Sequence, residues 1–229
     1  METVILACDT IRDEVVKAAR EVGCPYPFHW VESGLHLVPD SLRTRLQEEL
    51  DQLQGVERVL LAFGFCGNSV VGLSTRDFEL IMPRVDDCIT LLLGSRECRE
   101  ACSADGGVYF LTRGWLEGEF NLWREYETVR ERHGPERTER IYRKLLAHYR
   151  YLGLIDTGAY DANALLPEVQ RIAEILKLET RMFSGSGAYL ERFFSGPWDA
   201  AEFVVVPPAT TIELGHVTGA RDGGAVAQG

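Results

Sequence analysis

LLAFGFCGNSVVGL, residues 60–73, runs apolar as far as Phe65 and then sets a cysteine, a glycine and an asparagine side by side. A continuous apolar run, rather than an alternating one, marks a strand buried on both faces, as in a parallel sheet. The thiol of Cys66 therefore stands where such a strand gives way to the next element. Gly67 lets the backbone turn tightly beside it, and Asn68 is placed to cap a following helix or to bond a substrate.

The same pattern recurs along the chain. TVILA (3–7) leads into a helical pattern over Ile11–Val22, and FELIMP (78–83) leads into DDCITLLLG (86–94). GVYFLT (107–112) opens a long helical region, and LGLID (152–156) precedes a helix around Leu166–Leu176. ETRMF (179–183) comes before SGSGAYLERFF, EFVVVPP (202–208) completes the series, and FHWV (28–31) reads as a short second strand. Strand–helix alternation predicts an α/β fold with a parallel, Rossmann-like βαβ sheet, in two βαβ halves.

Between the second and third strands, Leu42, Leu46, Leu50 and Leu53 share a helix face. Asp40 or Ser41 is placed to cap its start and Gly55 to close its end. Residues 119–152 differ: Leu122, Tyr126 and Val129 form one stripe, and Ile141, Leu145, Tyr149 and Leu152 form another. HGP (133–135) separates them, so the segment reads as an inserted helical hairpin with a charged, solvated outer face. Residues 1–214 then make one α/β domain, and the Gly- and Ala-rich 215–229 make a flexible tail or packing arm.

Composition narrows the function classes. With 24 basic and 35 acidic side chains the 229-residue chain carries a net charge of −11, which repels phosphate backbones and argues against nucleic acid. No run approaches the length of a membrane span, and the first residues lack the basic start and cleavage site of a secretory signal. The reading is a cytoplasmic protein acting on a small molecule, with oligomerisation open. Its six cysteines, at 8, 24, 66, 88, 98 and 102, are then reduced thiols rather than a disulfide framework.

Three of the thiols, Cys8, Cys66 and Cys88, follow predicted strands. The carboxyl ends of parallel strands share one edge, where ligands bind at the topological switch point. Converging thiolates suit a catalytic zinc with an open fourth position, or an iron–sulfur cluster with one free iron. Cysteine also packs as a small buried hydrophobe, so each thiol alone has a purely structural reading. His36 is a candidate fourth ligand or acid–base group, and Asp87 and Asp156 are candidate catalytic carboxylates. Asp86 and Asp87 also suit a helix cap. Arg84 is a candidate anchor for an anionic group, with a salt bridge to Asp86 or Asp87 as the alternative. Ser186, within SGSG (184–187), lies at a strand–helix junction that can offer N–H groups to an anion, or form a plain turn. Cys98 and Cys102, four apart on a helix, read as incidental, as an extension of the site or as a redox pair, and Cys24 as a loop or packing residue.

The combination of LACDTI, LHLVPDSLR, LLAFGFCGNSVVGL, IMPRVDDCITLLLGSRE, YFLTRGWLE, LIDTGAYD and SGSGAYLERFFSGPWDAAEFVVVPP resembles domain-of-unknown-function family 1638. The resemblance implies a cysteine at each position of Cys8, Cys66 and Cys88 and a histidine at His36, and does not reach Cys24, Cys98 or Cys102. It also implies proximity to corrinoid-dependent methyltransferases, hence one-carbon metabolism, with a corrinoid protein or methyltransferase as partner. On that footing the expected function is activation of a thiol or small substrate at the open position of a three-cysteine metal, zinc ahead of iron–sulfur. Two rivals stand beside it. ACDT is similar to the ACNT element of glutamate and aspartate racemases, which use a cysteine pair without cofactor, although Gly67-Asn68 stands where they carry Thr-His. The other rival is a metallochaperone or corrinoid-handling accessory without turnover.

Overall fold

In the computed structural model, which describes residues 2–32, 34–35 and 38–218, the mixed α/β chain builds two sheets from largely parallel strands. Strands β1 (Thr3–Cys8), β2 (Phe28–Val31), β3 (Arg58–Ala62) and β4 (Glu79–Pro83) run parallel in the order β2-β1-β3-β4. Strands β5 (Gly107–Leu111), β6 (Tyr149–Asp156) and β7 (Glu179–Ser184) form the second sheet, also parallel. The last strand, β8 (Phe203–Val206), returns to the first sheet and pairs antiparallel with β4. Val, Ile and Leu fill β1, β3 and β4 without alternation because both faces are covered, and Ile5, Leu60, Leu61, Leu80 and Ile81 are fully buried.

Helices connect most of the strands where the apolar spacing called for them. After a single 3₁₀ turn at Asp9–Ile11, α1 (Arg12–Glu21) buries Glu14, Val15, Ala18 and Ala19. Helix α2 (Pro39–Gln52) buries Leu42, Leu46 and Leu50, but starts from Val38 with Pro39 in its first turn, so neither Asp40 nor Ser41 is its cap. Helix α3 (Cys88–Leu93) is the joint between the halves: Leu91 and Leu92 enter the first sheet's core, while Ile89 and Leu93 pack on Val108, Phe110, Ile155 and Phe183 of the second. Helix α4 (Arg96–Cys102) buries none of its residues, and α5 (Arg113–Glu117) caps the end of β5.

Two sequence expectations are corrected. No helix follows β3: residues 66–72 make successive turns, with Cys66, Gly67 and Asn68 all at positive φ, so Asn68 caps nothing. The chain closes there through Ser69 N–H to Phe65 O, a path that a right-handed helix cannot share. The helical hairpin is shorter than 119–152. Helices α6 (Leu122–His133) and α7 (Pro135–Leu145) end before Tyr149 and Leu152, which belong to β6. On α7 the buried side is Thr138 and Tyr142, and Ile141 and Leu145 face solvent. Tyr142 takes the inward position by packing edge-on against Tyr126 of α6, which stacks on Trp123.

Helix α8 (Ala162–Leu176) covers β6 and β7, and α9 (Ala188–Ser195) packs on α1. Five residues of the supposed tail's border form α10 (Leu214–Thr218), with Val217 buried; the rest of 215–229, from 219 onward, lies outside the described residues. The Arg84 guanidinium straps this C-terminal segment down, donating to the carbonyls of Ala200 (3.0 Å), His216 (2.9 Å) and Phe203 (3.4 Å). Arg84→Met should therefore lower unfolding stability by about 2 kcal/mol and speed proteolysis between 199 and 218. Unchanged denaturant midpoints and cleavage rates would refute the strap.

Candidate functional site

In the first sheet the strand order reverses beside β1: β2 lies on one side and β3 on the other, so the carboxyl ends of β1 and β3 border the switch-point crevice. Cys8 is the last residue of β1. Beyond β3 and β4 the two chain segments stay zipped, Phe65 N–H donating to Val85 O (2.9 Å) and Cys66 N–H to Asp86 O (2.8 Å). That zipper carries Cys66 and the start of α3, Cys88, to the same edge. A cavity of about 430 Å³ is lined by all three thiols, with Leu42, Phe63, Ile89 and Trp115 as apolar walls and Thr10, Glu32, Asp86 and Asp87 as polar ones.

Two glycines make the convergence possible. A β-carbon on Gly64 would lie 2.5–2.7 Å from the backbone of Asp87, so only glycine lets the end of β3 pass the start of α3 this closely. Gly114 performs the same service between the halves: its β-carbon would meet the Thr10 carbonyl oxygen at 2.0 Å. Thr112 Oγ1 donates to that carbonyl (3.4 Å) and Arg113 pairs with Asp13 (2.5 Å), and this docking accompanies the entry of Trp115 into the cavity wall.

Burial dominates the electrostatics. It pushes the Cys66 thiol up to about 12 and the Cys88 thiol well above its ordinary value, with the neighbouring thiols and Asp87 adding to the rise. Cys8 is raised for the same reason, against a smaller lowering by Thr10. The Thr10 hydroxyl is itself buried in this wall of the cavity. Burial thus favours the neutral form of all three thiols. Glu14 lies behind them on α1, only 3% exposed, accepting from Thr157 Oγ1 (3.1 Å), and burial lifts its carboxyl to about 7.

The remaining candidates are distributed as follows. Gly67 and Asp87 line the thiol cavity, but Asp87 is occupied as the cap of α3: it accepts from Thr90 N–H (2.9 Å) and Thr90 Oγ1 (3.0 Å) and pairs with Arg99. Asn68 and Arg84 line a larger adjoining chamber of about 770 Å³ that shares Gly67 and Asp86 with the first. Asp156, at the end of β6, accepts from Gly158 N–H (3.0 Å), and Ser186 Oγ accepts from Ala188 N–H (3.2 Å). Neither lines either chamber. His36 lies outside the described residues. Glu14, Thr10, Glu32 and Trp115 were not foreseen; only Glu14 left a trace, as a carboxylate on the Ile11–Val15–Ala18 stripe. All six cysteines are free, and the described residues hold no set of three His, Cys, Asp or Glu already at metal-ligand spacing. Among them no helix is long and apolar enough to cross a membrane.

Fold and site together define a parallel-sheet α/β protein with a cysteine-lined cavity at its switch point. The family model described as "Protein of unknown function (DUF1638)" matches residues 30–194, which include Cys66 and Cys88 but not Cys8, and the chain belongs to that family. No curated protein and no solved structure matches it.

Proposed function

We propose that the protein binds a soft metal ion through Cys8, Cys66 and Cys88 and presents it to a small molecule entering the cavity. The observation that carries this reading is the arrival of three thiols, from the ends of three neighbouring parallel strands, on one largely apolar cavity. The donor chemistry suits zinc, with an iron–sulfur cluster second, because thiolates select soft and borderline metals. When bound, the metal would supply Lewis-acid activation of a thiol or small substrate at its open position. The protein's own contributions are the apolar walls of Phe63, Ile89 and Trp115 and the Cys66–Asp86 zipper. The family resemblance directs the reading toward corrinoid-linked methyl transfer in the reducing cytoplasm, with a corrinoid protein or methyltransferase as partner.

Metal analysis of anaerobically purified protein tests this. About one zinc per chain without colour is expected, falling at least tenfold in Cys66→Ser and Cys88→Ser. A brown chromophore with iron and sulfide would instead assign the cluster. Metal-free protein that racemises an amino acid through Cys8 and Cys66 would overturn the metal reading, and stable metal binding without turnover would assign an accessory. Because all three thiols are raised by burial, each must lose a proton to bind, so affinity should drop steeply as pH falls from 9 to 6. A flat titration over that range would count against thiolate ligation.

A further inference from the structure

We propose that the thiol cavity admits small molecules that are uncharged or positively charged and excludes anions. Its described walls combine the Trp115 and Phe63 rings with the carboxylates of Glu32, Asp86 and Asp87, and include no arginine, lysine or histidine. Each carboxylate has a cation partner: Arg45 for Glu32, Arg96 for Asp86 and Arg99 for Asp87. None of these arginines is among the walls, so an entering molecule meets the acidic members of the pairs first. The aromatic residues add to this, since the face of a ring attracts a cation. The adjoining chamber contrasts with it, having Arg84 and Arg96 in its lining.

Three thiolates on a divalent ion would leave the site with a further net negative charge, so metal loading strengthens the selection. The inference takes the cavity and its thiols from the proposed site, but its test needs no metal.

Matched methanethiosulfonate reagents provide that test, one carrying a trimethylammonium group and the other a sulfonate. Each transfers its sulfur substituent to a thiolate, forming a mixed disulfide and releasing methanesulfinate. On full-length protein treated with a chelator, the rates at Cys66 and Cys88 are followed by peptide mass spectrometry. Cys98, exposed on α4, serves as the internal reference for the reagents' intrinsic difference. The cation-to-anion rate ratio at Cys66 should exceed that at Cys98 roughly tenfold, the effect of a charged cleft on local reagent concentration. It should collapse toward the Cys98 ratio in the double variant Glu32→Gln, Asp86→Asn, both surface changes. A ratio at Cys66 no greater than at Cys98, or cavity thiols closed to both reagents, would overturn the proposal. Failure of metal binding with a high ratio would overturn only the metal reading.

Discussion

Gly64→Ala is expected to cost about 3 kcal/mol of stability and to weaken soft-metal binding about a hundredfold. The added methyl would stand 2.5 Å from the Asp87 Cα, 2.6 Å from its carbonyl carbon and 2.7 Å from its nitrogen. These are backbone atoms of the residue that caps α3, so no side-chain rotation relieves the overlap. The relief available is to draw the end of β3 away from the start of α3. That movement separates Cys66 from Cys88, because the two are held at one edge by the zipper through Val85 and Asp86. Gly67→Ala is the natural comparison. Among the described residues its methyl would meet the Pro39 side chain, Cγ at 3.2 Å and Cβ at 4.0 Å, and its main cost is the positive φ of +67°, about 1 kcal/mol. Chemical denaturation gives the stability difference and calorimetric titration with zinc gives the affinity. A Gly64→Ala protein that binds zinc like the parent would show that the close passage of β3 and α3 does not build the site.

The contrast between those two glycines also shows what the sequence could and could not convey. The parallel strands were legible because Thr3–Ala7, Arg58–Ala62 and Glu79–Pro83 carry uninterrupted apolar runs, and burial on both faces leaves no other reading. The meeting of three thiols followed from that, since parallel strands end on a common edge. Gly64 and Gly114 were opaque, as their constraint comes from chain segments 23 and 104 residues away, Asp87 and Thr10. The hairpin stripe failed on α7 for a related reason. Ile141 and Leu145 have the more apolar side chains, yet the inward place went to Tyr142, whose ring finds Tyr126 across the hairpin. Periodicity ranks residues by hydropathy, whereas packing ranks them by the partner available. The two βαβ halves were legible as well, but their separation into two sheets was not, because α3 continues the β-strand/helix rhythm while passing from one core to the other.

Glu14→Gln should stabilise the protein by about 3 kcal/mol at pH 8 and leave it nearly unchanged at pH 4. Burial between α1 and the second sheet lifts the Glu14 carboxyl from an ordinary 4.5 to about 7, against the smaller lowering by its own backbone and Thr157. For a group raised by folding, its full stability is present below the unfolded value and is lost as pH climbs through the folded one. The parent should therefore weaken between about pH 4.5 and pH 7 and level off above that, each pKa unit being worth about 1.4 kcal/mol. Glutamine resembles the neutral acid: its carbonyl can still accept from Thr157 and its amide replaces the acid's O–H, but it does not ionise. The variant's stability should lack that sloping window. Denaturant unfolding of both proteins at pH 4, 6 and 8 measures the difference. Equal stabilities at pH 8 would mean that the carboxylate is solvated in the folded protein, and that α1 and the segment after β6 meet less tightly than the Glu14–Thr157 contact requires.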